Sequence, residues 1–243
     1  ELGGNMIIVA NDNDMSIAEN HGGMYRNLKL LRDTNGQAEC NFFKAMGLDY
    51  VYVKEGNNIA DLIAAFEQVK DSEKPVVVHI NTLKGKGYAP AEKNKEQWHY
   101  NGPFHIETGE PLVTVEEEDY SSVTAEYLLK KMKEDSRVVG ITAGTPTVMG
   151  FTAEKRKEAG RQFVDVGIAE ETAVALASGI AANGGKPVFG VYSTFVQRTF
   201  DQISQDVCIN NSPATIVTFW GSVYGMNDVT HLGLQDIDRK SVV

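Results

Sequence analysis

Residues 163–182 read Phe163-Val-Asp-Val-Gly-Ile-Ala-Glu-Glu-Thr-Ala-Val-Ala-Leu-Ala-Ser-Gly-Ile-Ala-Ala182. The aromatic and β-branched start, Phe163–Val166, predicts a strand. Gly167 interrupts it, and an Ala-rich helix follows from about Glu170 to Ala182. Asn183-Gly184-Gly185 ends that helix, with Pro187 beyond. Pro187–Val191 is again a strand. Strand, helix, strand in this order is the signature of a parallel α/β layer.

The same alternation extends in both directions. Further strands are predicted at Met6–Ala10, Tyr50–Val53, Pro75–Ile80, Val138–Thr142 and Thr215–Phe219. Several are continuous β-branched runs, as expected for strands covered on both faces. Ile59, Leu62, Ile63, Phe66 and Val69 make a helical stripe behind the cap Asn58. Val123, Tyr127, Leu128 and Met132 make another, entered through Ser121-Ser122. Between the halves, Thr108-Gly-Glu-Pro111 and the acidic run Glu116–Asp119 predict a boundary. The abrupt opening Glu1-Leu-Gly-Gly-Asn5 and the equally abrupt end at Val243 suggest an internal piece of a longer chain.

The 243 residues carry 23 Lys and Arg against 33 Asp and Glu, a net charge of −10. An acidic chain without a basic stripe argues against nucleic acid as partner. No apolar run approaches the roughly 20 residues a membrane helix needs. Cys40 and Cys208 form no CxxC or disulfide framework, so a reducing, cytoplasmic setting is expected.

Five polar clusters follow the strands, where ligands bind in open α/β sheets. Asn11-Asp-Asn-Asp-Met-Ser16 offers oxygens suited to a hard cation such as Mg²⁺, or forms a plain turn. Thr82-Leu-Lys84-Gly-Lys-Gly-Tyr88 offers backbone access and positive charge to phosphate, or is a Gly-rich turn. In Asp165-Val-Gly-Ile-Ala-Glu170-Glu171, a glutamate either caps the helix or shares a proton with a ligand nitrogen. Tyr192-Ser-Thr-Phe195-Val-Gln-Arg198 could stack on a ring and hold an anion. Gly225–Gly233 carries His231, a possible proton shuttle. His99 lies in the Trp98-His99-Tyr100 loop, whereas His79, inside a strand, reads as a core group. Five clusters across a domain break suggest one site assembled between two layers.

As a set, these motifs resemble the 1-deoxy-D-xylulose-5-phosphate synthases, a thiamine-diphosphate-dependent branch of the transketolase family. The motifs are Asn11–Ile17, Lys84–Glu92, Asp165–Glu170, Tyr192–Arg198 and Thr230-His-Leu-Gly233. The resemblance spans essentially the whole chain. It implies α/β domains with mainly parallel sheets covered by helices. Residues 1–110 would be the remainder of the diphosphate-binding domain, 111–119 a linker and 120–243 the pyrimidine-binding domain. It further implies Asn13 and Met15 as Mg²⁺ ligands, and Lys84 and Tyr88 beside thiamine diphosphate. Glu170 would bond N1′ of the aminopyrimidine, and Phe195 would stack on that ring. Tyr192, Arg198, His99 and His231 match substrate positions, the two histidines also serving catalysis. Pyruvate and an aldose phosphate, glyceraldehyde 3-phosphate, would be the substrates, and a homodimer the assembly.

Departures from the family pattern are also visible. The family's Gly-Asp-Gly and third domain are not in this sequence, so the piece alone is expected to be inactive. The stretch Asn20–Met46 is shorter than the usual connection. Trp220 stands where a phosphate-binding Arg is expected, and Asn227-Asp228 replaces Asp-Gly. Trp220 favours a different transketolase-like ketol transfer or a 2-oxo-acid dehydrogenase component as the rival. A non-catalytic interaction module is the rival of another class.

Overall fold

In the computed structural model, residues 4–114 and 118–221 are described here. The chain divides into two compact units, Glu1–Thr114 and Val115–Val243.

In the first unit, three parallel strands form a sheet in the order β1-β3-β2. They are β1 (Ile7–Asp12), β2 (Asp49–Val53) and β3 (Val76–Asn81). Helices α1 (Gly23–Asp33), α2 (Phe42–Ala45), α3 (Ile59–Val69) and α4 (Ala89–Lys93) complete it. The central strand β3 is buried from Val76 to Ile80, as its unbroken β-branched run requires. β1 departs from that expectation: Ile8 and Val9 are exposed, Val9 to 48%. Among the described residues β1 pairs with β3 alone, so it is an edge strand. It also runs two residues further than predicted, so Asn11 and Asp12 belong to the strand. The short stretch Asn20–Met46 holds α1 and α2, neither legible in the sequence.

α3 begins where expected, with the Asn58 side chain accepting from Ala60 N at 2.9 Å. Its buried stripe is shifted from the predicted one. Leu62, Ala65, Phe66 and Val69 pack with Val53, Val76, Val78 and Ile80, whereas Ile59 and Ile63 face solvent. At about 100° per residue, Ala65 extends the row facing the sheet and the two isoleucines fall beyond its flank.

The second unit carries four parallel strands in the order β5-β4-β6-β7. They are β4 (Val138–Thr142), β5 (Phe163–Asp165), β6 (Lys186–Tyr192) and β7 (Thr215–Phe219). On one face, α5 (Tyr120–Glu134) buries Ala125, Leu128, Leu129 and Met132. Val123 and Tyr127, read as part of this stripe, lie on the opposite side of the helix and are exposed. The cap is also not the serine pair: Asp119 accepts from Ser122 N at 2.6 Å, with Ser122 closing the capping box. The short α6 (Ala153–Ala159) follows β4. On the other face, α7 (Glu170–Ala182) lays Ala173, Val174 and Ala177 against Ile141, Phe189 and Val191. Small side chains let this helix approach the sheet closely. After β6 a 3₁₀ stretch, Ser193–Thr199, leads into α8 (Phe200–Gln202) and a π-helical turn, Ile203–Ile209.

Candidate functional site

In the second unit, the chain's path from β5 into α7 is fixed by Asp165. Its Oδ1 accepts from Gly144 N at 2.8 Å and from Gly167 N at 2.9 Å. Both glycines have left-handed backbone, φ 76° and 75°, which costs a residue without Cβ little. The turn delivers Glu170 as the first residue of α7, where the helix dipole favours a carboxylate. The Glu170 residue is 1% exposed. A buried carboxylate needs a compensating charge, and Arg198 Nη1 donates to Glu170 Oε2 at 3.3 Å. The Arg198 side chain is itself half exposed. Its guanidinium lies 5.9 Å from the centre of the Phe195 ring, within cation–π reach. The Phe195 ring meets Tyr192 edge-on at 5.7 Å. Ser193 Oγ donates to the Trp220 carbonyl at 3.3 Å, joining the loops after β6 and β7. Glu170, Arg198, Phe195 and Tyr192 thus form one contiguous group beyond β5 and β6. His231 lies outside the described residues.

In the first unit, Asn13 and Met15 occupy the turn after β1. Asn13 Oδ1 accepts from Met15 N at 3.1 Å, so the turn reading of this cluster holds locally. Lys84, after β3, donates from Nζ to the carbonyls of Ser16 at 2.6 Å and Ile17 at 3.4 Å. It therefore straps the loop after β3 to the loop after β1. Burial pushes the Lys84 ammonium below its ordinary value; Glu96 opposes this and Lys95 adds to it. Burial, then the Lys84 charge, also holds the His99 imidazole low, which favours the neutral ring near pH 7. The Tyr88 hydroxyl donates to the Ile106 carbonyl at 2.9 Å, and its ring packs on Trp98 and Phe104.

Three polar residues, Asp12, Tyr50 and Asp165, acquire roles that the sequence did not reveal. Asp12 is buried and bonded by Arg32 and by His79 Nε2, the latter at 2.9 Å. His79 Nδ1 meets the Tyr50 hydroxyl at 2.7 Å. An ionised Asp12 can only accept, so Nε2 carries a hydrogen, and the Nδ1 of a neutral ring would accept from Tyr50. Burial pushes the Tyr50 phenol upward, consistent with its staying protonated as that donor. The reading of His79 as a core group therefore holds. Asp165, the third residue, stood inside a quoted motif without a role. Among the described residues, no three His, Cys, Asp or Glu side chains are arranged to hold a metal ion. Nor is any helix among them long and apolar enough to cross a membrane.

A buried carboxylate opens a helix at the carboxyl edge of a parallel sheet, with an aromatic and a guanidinium on the next loop, in an α/β domain of the kind whose strand ends commonly take ligands. The comparisons narrow this class. Residues 116–238 match the model of the transketolase pyrimidine binding domain, and residues 29–82 match a model described as 1-deoxy-D-xylulose-5-phosphate synthase. The first match covers just over half of the chain, and the chain belongs to the transketolase family. The 1-deoxy-D-xylulose-5-phosphate synthase of Acaryochloris marina is 36% identical over 96% of this chain and 42% of its own length. That of Clostridium beijerinckii is 36% identical over 98% of this chain and 44% of its own. The chain spans less than half the length of these relatives. A solved transketolase of Pichia stipitis, in complex with sedoheptulose-7-phosphate, aligns with 99% of this chain and 48% of its own. The identity is 17% and the TM-score 0.44.

Proposed function

We propose that the protein is a thiamine-diphosphate- and Mg²⁺-dependent transferase. It would condense pyruvate with glyceraldehyde 3-phosphate to 1-deoxy-D-xylulose 5-phosphate and carbon dioxide, feeding isoprenoid and thiamine synthesis. In this reading residues 1–110 belong to the diphosphate-binding domain, 111–119 are a linker and 120–243 form the pyrimidine-binding domain. The protein works as a cytoplasmic homodimer. The observation that carries the reading is Glu170, a carboxylate buried at a sheet edge with an aromatic ring beside its ion-pair partner.

The residues present fit the cofactor chemically. The Asn13 carboxamide and the Met15 carbonyl are uncharged oxygen donors on one loop, suited to a hard cation that also takes phosphate oxygens. Lys84 and Tyr88 would stand beside the diphosphate, and Phe195 would offer a ring face. When bound, thiamine diphosphate supplies a carbon nucleophile for the donor's carbonyl. Glu170 would hold thiamine diphosphate at its N1′ atom and could exchange a proton there, which is general acid–base work for a buried carboxyl. Arg198 and Tyr192 would orient the anionic substrate, and His99, whose ring is held neutral near pH 7, would face it as a hydrogen-bonding partner. His231 would complete the substrate side.

The test is Glu170→Gln in the intact protein, because an amide keeps the shape but cannot exchange the proton. Thiamine diphosphate should still bind, while turnover of pyruvate with glyceraldehyde 3-phosphate falls roughly 10²–10⁴-fold. Near-normal turnover would overturn the assignment. A second reading, ketol transfer from a ketose phosphate, is favoured by Trp220, which follows β7 and is 57% exposed. Its indole cannot neutralise a phosphate dianion. Assaying both donors side by side separates the two.

A further inference from the structure

Asp14 is one of few non-glycine residues with left-handed backbone among those described, at φ 65°. It stands between Asn13 and Met15, and Arg32 holds it there. From the last turn of α1, Arg32 Nη1 donates to Asp12 Oδ1 at 2.7 Å and to Oδ2 at 2.5 Å. Its Nη2 donates to Asp14 Oδ1 at 2.6 Å. One planar guanidinium therefore grips the residues on either side of Asn13. The Asp14 amide also donates to Asp12 Oδ1 at 3.1 Å. The two ends of this grip differ. The Asp12 side chain is 4% exposed, so neutralising it is a matter of stability. The Asp14 side chain is 64% exposed, and an ion pair there adds little stability. What the second bond adds is geometry, since a forked guanidinium fixes direction as well as distance.

We propose that Arg32 is a positioning residue for the metal loop. It would hold the turn Asp12–Met15 in the form that presents the Asn13 carboxamide and the Met15 carbonyl to Mg²⁺. It also occupies both neighbouring carboxylates, so that they do not bind the ion themselves. This role rests on the reading of Asn13 and Met15 as metal ligands given above.

The experiment titrates Mg²⁺ into the intact protein at fixed thiamine diphosphate, following cofactor binding by calorimetry. Unfolding midpoints are recorded without ligand. Removing an outer partner of a metal ligand typically weakens metal affinity 10–100-fold. Arg32→Met should raise the Mg²⁺ half-saturation roughly tenfold or more, and Arg32→Lys should restore part of the loss. Asp14→Asn keeps a residue tolerant of left-handed backbone and removes the charge. It should leave the unfolding midpoint unchanged yet weaken Mg²⁺ several-fold. Half-saturation within twofold of the parent in Arg32→Met and Asp14→Asn would overturn the proposal. If Arg32→Met does not fold, Asp14→Asn decides alone by the same criterion. If the parent itself shows no Mg²⁺-dependent cofactor binding, the metal reading fails, and the role of Arg32 fails with it.

Discussion

The two units carry their chemistry by different means. In the first, the loops after the strands are held by charge: Arg32 grips Asp12 and Asp14, and Lys84 ties down two backbone carbonyls. In the second, Glu170 is held chiefly by burial, with a single ion pair to the half-exposed Arg198. Its helix is sealed by Ala173, Val174 and Ala177 against a sheet whose Phe189 and Val191 are themselves buried. The sheet of the second unit is covered by α5 and α7 on opposite faces. Ionic loops suit contact with a phosphate and a cation, which are themselves charged. A proton-exchanging carboxyl works better where water is scarce and its surroundings fixed.

The sharpest way to break this contrast is to remove packing from the second unit. Phe189→Ala, at a fully buried position, should cost about 4 kcal/mol, read as a lower denaturant midpoint for that unit. A loss below about 1 kcal/mol would mean that the Ala-rich helix is not what holds Glu170 in place.

A smaller effect is expected from the ionic side. Burial alone would raise the Asp12 carboxyl, but bonds from His79, Arg32 and the Asp14 amide outweigh it and hold the group below its ordinary value. A carboxyl depressed in the folded state stabilises at pH values above the unfolded value, 3.8, and loses that contribution as pH falls through the folded one. Hydrogen exchange should therefore show the first unit loosening more than the second as pH falls below about 4. Asp12→Asn should lower its stability at pH 7 by about 2–3 kcal/mol and flatten the acid dependence. Equal acid sensitivity of Asp12→Asn and the parent would remove the charge-based account.

The smallest expected effect concerns Tyr88. Tyr88→Phe keeps the ring on Trp98 and Phe104 and deletes one bond to the Ile106 carbonyl. It should cost about 1 kcal/mol or less. A large loss of cofactor affinity with unchanged stability would move that hydroxyl from loop packing to the ligand.

The parts of this arrangement that could be read from sequence are those governed by short-range rules. The unbroken run at Val76–Ile80, the Asn58 cap and the glycines ending α7 each declare themselves within a few residues. The clusters at strand ends were legible for the same reason: strand pattern and polar break are adjacent. α1 was not legible, because it opens on Gly23, carries Arg, Asn and Lys, and buries only Leu31. Nor was the Arg32 grip on Asp12, which joins positions twenty residues apart. The nearest available signal was two aspartates bracketing an asparagine, with an arginine closing the next helix. The Val123 and Tyr127 stripe failed because both helix faces carry apolar residues, and only packing decides between them.

The shared acceptor at Asp165 bears on how this protein can vary. One oxygen anchors the amides of Gly144 and Gly167, so the segments leaving β4 and β5 are tied together at Asp165. Lengthening or reshaping either one displaces the doorway to α7, and with it the carboxyl at its threshold. Tolerance for insertions therefore belongs at the far end of that helix, in the turn Asn183–Gly185, where Gly184 adopts a left-handed backbone at φ 79°. Added length should be absorbed there at little cost and should be felt directly when placed beside Asp165.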